Sequence, residues 1–145
     1  MPPRGKRILL FIFILALALF FYGAFGSNTL LLSLEGDAIT LTGPEDSSFS
    51  VPYAGIASME LLESFDPGLA VEGGLKNHIR YGLWHNEALG DYRLFASDKI
   101  DAVILLRTTS GEALVFNYES ADSTLNFYDT YPAFLAGQGY PIQTA

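Results

Sequence analysis

The chain contains no cysteine, so neither a disulfide framework nor a thiolate metal site can hold it together or carry its chemistry. No acidic residue occurs before Glu35, and no basic residue occurs from Ser27 through Gly74. Charged residues make up only 17% of the 145, which excludes a disordered, strongly charged chain. The uneven placement of charge says more than its amount. Arg4, Lys6 and Arg7 precede a long apolar run and all 16 acidic residues follow it, so the part beyond residue 26, with 5 basic residues, carries a net charge of −11.

Residues 8–25 read ILLFIFILALALFFYGAF, with Gly23 the one residue outside the apolar class. As a helix at about 1.5 Å per residue the run is about 27 Å long, close to a hydrocarbon core of about 30 Å. In lipid such a segment must satisfy its own backbone groups, which a helix does. The basic flank sets its direction, because short Lys- and Arg-rich segments stay on the cytoplasmic side. The expected organisation is a cytoplasmic tail over residues 1–7, a transmembrane signal anchor over 8–26 in the cytoplasmic (inner) membrane, and an extracytoplasmic domain over 27–145. The competing reading is a secretory signal cut after Gly26, since Ala24-Phe25-Gly26 places small residues where a signal peptidase needs them. Both readings export the domain.

The exported part alternates with period two, which predicts a mainly β domain. Leu30, Leu32 and Leu34, the turn Gly36-Asp37, then Ile39 and Leu41 predict a first hairpin. Phe49 and Val51 belong to a strand that Pro52 ends, and Ala57, Met59 and Leu61 to the next. Residues 66–78 hold Pro67-Gly68 and Gly73-Gly74 and have no assignable course. Ile79, Tyr81 and Leu83 predict a strand in which Gly82 marks a bulge or a close backbone contact. Tyr92, Leu94 and Ala96 alternate in another. The segments 102–109 and 112–118 predict a hairpin over a two-residue loop, Ser110-Gly111. A helix capped by Ser120 or Asp122 follows, carrying Leu125, Tyr128 and Leu135, with Pro132 expected to kink or break it near Thr130. A curled sheet of about seven strands with this helix over its open side is an economical way to bury a small core.

The order of several short motifs adds to this reading. Val51-Pro52-Tyr53 leads into a strand ending in an acidic turn with Pro67-Gly68; Gly82-Leu83-Trp84 precedes Gly90-Asp91-Tyr92-Arg93-Leu94; and Val115-Phe116-Asn117 precedes the helical segment from Thr124 to Tyr128. Over residues 28–135 this resembles the bacterial pleckstrin-homology-like domain family. The resemblance implies a partly open β-barrel of about seven antiparallel strands with a C-terminal helix, and it fixes no function.

Charge narrows the choice of partner. The first turn is Glu35-Gly36-Asp37, so the resemblance does not extend to phosphoinositide binding through basic residues there, and nucleic acid is disfavoured by the same repulsion. His78, His85 and Glu87 lack the spacing of a metal site, and no serine sits in a nucleophile frame. Tyr81 and Trp84 flank Gly82 in a segment of aromatic, His and Arg residues suited to partner contact; the plainer reading puts Tyr81 in the core and Trp84 over the barrel end. The expectation is a non-enzymatic module that uses no cofactor, bound to the membrane through residues 8–26 and contacting an envelope protein or peptide. The alternative is a carrier or sensor of a small apolar or lipid-like ligand, held in a cavity beneath Phe127, Tyr131 and Phe134.

Overall fold

The computed structural model describes residues 12–15 and 29–144. The expected membrane helix therefore falls largely outside the described residues; Ile12, Phe13, Ile14 and Leu15 are helical and exposed, and no helix among the described residues is long and apolar enough to cross a membrane.

Three short strands, β1 (Leu31–Ser33), β2 (Ala38–Thr42) and β3 (Ser48–Pro52), form an antiparallel sheet in the order β1-β2-β3. A 3-10 turn at Tyr53–Gly55 then delivers the chain to a second sheet. Its strands are β4 (Ile56–Leu62), β5 (Leu69–Lys76), β6 (Ile79–Asn86), β7 (Gly90–Ser97), β8 (Val103–Thr108), β9 (Ala113–Phe116) and β10 (Gln143–Thr144), ordered β10-β4-β8-β9-β7-β6-β5. Helix α1 (Ala121–Gly137) lies between β9 and β10.

The mainly β class and the C-terminal helix agree with expectation, while the strand count and pairing differ. Among the described residues there are ten strands in two sheets, and β7 pairs with β9, and β10 with β4, in parallel. Alternation along a strand reports which side chains share a face. It carries no information about a neighbour that arrives from elsewhere in the chain.

Two further corrections are local. The β8–β9 connection has three residues, since Arg107 pairs with Ala113 and the Thr108 N–H donates to the Glu112 carbonyl at 2.9 Å; Gly111, at φ 93°, takes the left-handed position that closes such a loop. Helix α1 runs through Pro132 without a break. Proline there withholds one backbone donor, a cost offset by docking Phe127, Tyr131 and Leu135 in the core. Of the two candidate caps, Ser120 serves: its hydroxyl oxygen accepts the Ser123 N–H at 3.0 Å.

The main core lies between one face of the large sheet, the small sheet and α1. Ile39, Leu41 and Val51 from the small sheet meet Met59, Phe95, Ile104, Leu106, Leu114 and Phe116 from the large one, with Phe127, Tyr131 and Leu135 of the helix. Phe127 stacks on Tyr131 (4.5 Å between centroids) and meets Phe116 edge to face (5.7 Å). One buried polar side chain holds the crossover after β7. Asn117, fully buried, accepts the Ser97 N–H at 2.8 Å and donates to the carbonyls of Ser97 (3.0 Å) and Ile100 (3.3 Å). It continues the parallel β7–β9 ladder with a side-chain amide in place of backbone.

The opposite face of the large sheet is apolar too: Trp84, Tyr92, Leu94, Ala96, Val103, Leu105, Ala113 and Val115 are buried together. Geometry explains why. Strands β4 and β5 are five neighbours apart in the sheet, about 24 Å if it were flat. Six residues, 63–68, join them, and from Leu62 to Leu69 the chain reaches at most about 25 Å when fully extended. Because this strap also turns at Gly68 (φ 74°), the sheet has to curl around it, with the second apolar face inside the curl.

Candidate binding cleft

The strap, Glu63-Ser64-Phe65-Asp66-Pro67-Gly68, is held by bonds that its own sequence dictates. Asp66 accepts the Gly68 N–H through Oδ1 at 3.0 Å, a local turn typical of aspartate. A side chain at position 68 would have its Cβ 2.0 Å from the His85 carbonyl oxygen, so only glycine brings the strap so close to the end of β6. Asn86 then bridges two segments: its Nδ2 donates to the Asp66 carbonyl at 2.9 Å, and its Oδ1 accepts the Leu89 N–H at 2.8 Å. Tyr92 donates its hydroxyl to the Pro67 carbonyl at 2.6 Å, and Phe65 meets the Tyr92 ring edge to face at 5.6 Å. Burial raises the Tyr92 hydroxyl above its ordinary pKa of 10.0, so it stays protonated and able to donate.

A cleft of about 660 Å³ opens between the strap and the β6–β7 turn. Leu62, Phe65, Leu69, Ala88, Leu89 and Leu105 supply its apolar walls, and Ser64, Asp66, His85, Glu87 and Arg107 its polar border. On the other side of the strap a smaller depression of about 200 Å³ lies among Pro67, Arg80, Leu94, Ala96 and Val103. Phe65 borders both. Ser64 borders both as well, so the two spaces are separated by two adjacent residues of a six-residue link.

Tyr81 and Trp84 fall on opposite faces of β6. Trp84 is buried inside the curl and donates Nε1–H to the Tyr81 carbonyl at 2.9 Å, while the half-buried Tyr81 ring packs against the main core. They do not form one surface. Gly82 between them makes the close backbone contact its position suggested: an added Cβ would lie 2.3 Å from the Glu72 carbonyl oxygen, and Gly73 opposite is equally tight against Tyr81. The histidines are apart as well. His78, just before β6, has Nδ1 3.1 Å from Asp98, and His85, near its end, has Nδ1 2.8 Å from Asp91, so the two are seven residues or about 23 Å apart along an extended chain. Among the described residues no three His, Asp or Glu side chains gather as a metal site would require.

The helix aromatics pack ring against ring, with Tyr131 also meeting Tyr53 (6.1 Å) and Phe134 (5.3 Å). A shallow space of about 310 Å³ lies beside Tyr131 and Phe134, next to Leu34 and Thr130. The Tyr131 hydroxyl is buried without a hydrogen-bond partner; burial, and to a lesser degree the nearby Tyr53 hydroxyl, raise its pKa.

The cleft residues Leu62, Phe65, Leu105 and Arg107 were not among the sequence candidates. Asp66-Pro67-Gly68 signals a turn, yet nothing local says that the turn crosses a sheet. Compared with protein-family models, with curated proteins and with solved structures, the chain matches none.

Proposed function

We propose that the chain is a non-enzymatic binding module of pleckstrin-homology-like type, tethered to the outer face of the cytoplasmic membrane by residues 8–26. It takes an apolar segment of another envelope protein or peptide into the cleft under the strap. The observation that carries this reading is the cleft itself, about 660 Å³ with apolar walls and a polar border, within the size and character of binding pockets generally. A mainly β domain closed by a C-terminal helix is compatible with the family resemblance, although the parallel β7–β9 pairing departs from a wholly antiparallel barrel. The net charge of −11 beyond residue 26 favours partners that are neutral or basic over nucleic acid or anionic headgroups. A tether would hold module and partner in one thin layer, where weak contacts suffice.

The test is site-specific photocrosslinking of the full chain in intact membranes. A crosslinker at Ala88, on the exposed turn beside the cleft, is expected to give discrete protein adducts that Leu69→Glu removes; one at Asp122, exposed at the start of α1 on the other face of the sheet, is expected to give none. Equal labelling from both positions, or none from Ala88, would sink the reading. The second reading, a carrier of a small apolar or lipid-like ligand, moves from the expected place beneath Phe127, Tyr131 and Phe134, whose rings stack on one another, to this same cleft. Copurified lipid that Leu69→Glu releases, with no protein adduct, would favour it.

A further inference from the structure

Strand β5 is the outermost strand of the large sheet, and among the described residues its other edge has no neighbour. Almost all of its eight residues are exposed, including three large apolar ones: Leu69 (78%), Val71 (53%) and Leu75 (56%). Long apolar edges invite strand pairing, and proteins ordinarily shorten, charge or cover them. The sequence of this edge, Leu69-Ala70-Val71-Glu72-Gly73-Gly74-Leu75-Lys76, also has a symmetry that selects its partner.

We propose that β5 pairs antiparallel with β5 of a second copy of this chain, about a two-fold axis at Gly74. In that register Glu72 stands opposite Lys76 of the second copy and Lys76 opposite its Glu72, so both ion pairs form at once. Glu72, Gly74 and Lys76 pair with Leu83, Tyr81 and Ile79 of β6 and so share one face of the sheet, which puts the opposed charges on the same side. On the other face Leu75 stands opposite Gly73 of the second copy, where the missing side chain leaves room for it. A register centred on Glu72 would set two carboxylates against each other, and one centred on Gly73 would lose both ion pairs. Lys76 already contacts Glu45 across the surface and remains 45% exposed, so its ammonium has donors left for a second carboxylate. An isologous contact of this kind closes on itself as a dimer, pairing residues 72–76 of β5 in each copy.

The absence of cysteine makes the test clean. Gly74 has no heavy atom within 4 Å of an added Cβ and does not have a positive φ, so Gly74→Cys fits the fold. At the axis two such cysteines would sit within disulfide range. In the full chain in native membranes, mild oxidation is expected to give a disulfide dimer from Gly74→Cys and little from Ser110→Cys. Added to Gly74→Cys, Glu72→Lys or Lys76→Glu alone is expected to reduce the dimer about tenfold, and the double exchange to restore most of it, because two exposed pairs are each lost and then rebuilt in reverse. Equal yields from Gly74→Cys and Ser110→Cys would overturn the dimer. Failure of the double exchange to recover what either single change loses would overturn this register. Circular dichroism of each variant separates loss of pairing from loss of folding.

Discussion

The two faces of the seven-strand sheet are covered by unequal means. One carries a 17-residue helix and a second sheet, and its rings close up against each other. The other carries six residues of irregular chain, and open space remains on both sides of them. The difference teaches where each task can sit. Close packing on the helix face supplies stability, since a buried ring there touches neighbours all round. The strap face holds the curl with a few hydrogen bonds and one ring, and leaves an apolar wall exposed for use.

The sharpest way to break this contrast is to remove a side chain from the packed face. Phe116→Ala, fully buried and in edge contact with Phe127, is expected to destabilise by about 3–5 kcal/mol in denaturant titration. Next is the clamp that orders the strands. Asn117→Ala leaves the Ser97 N–H and the Ile100 carbonyl without that partner, while the Ser97 carbonyl keeps the Ile100 N–H, and is expected to cost about 2–3 kcal/mol.

One hydroxyl removed from each face should then give unequal effects. Tyr92→Phe frees the Pro67 carbonyl and is expected to destabilise by about 1 kcal/mol, with faster hydrogen exchange in the strap than in α1. Tyr131→Phe removes a buried hydroxyl that has no partner and is expected to be neutral or to stabilise by up to about 1 kcal/mol. Equal effects would mean that the two hydroxyls have similar surroundings.

The smallest effect concerns alkaline pH. Both phenols have raised pKa values in the fold, so above about pH 10 the unfolded chain gives up protons that the folded chain retains. Stability is therefore constant with respect to these groups below that pH and falls above it. The double variant Tyr92→Phe, Tyr131→Phe is expected to flatten the decline in pH-dependent melting.

What could be read from the residues was mostly what depends on near neighbours. The hairpin of β8 and β9, the end of β3 at Pro52 and the tight contact at Gly82 each follow from a turn residue or an alternation within a few positions. Strand β5 escaped because Gly73-Gly74 interrupts its apolar alternation, and because a glycine-rich edge resembles a loop when its partner is unseen. The cleft escaped for a different reason. Leu62, Phe65 and Arg107 come together only because residues 63–68 are too few to cross a flat sheet, a constraint that exists once strand order is known. Tyr81 and Trp84 were legible as unusual residues; which faces they occupy was decided by the register of β6.

Strand β9 is made after β4 to β8, yet it sits near the middle of the large sheet, between β8 and β7. Until residues 113–116 emerge, β4 and the β5–β7 group have no ladder connecting them, and each offers an open edge. The two halves of the sheet are therefore joined by a late insertion at its centre rather than by growth from one side. Such an order makes the contacts long in sequence and the assembly slow, and it leaves both halves of the sheet open to wrong pairing until residues 113–116 have been made.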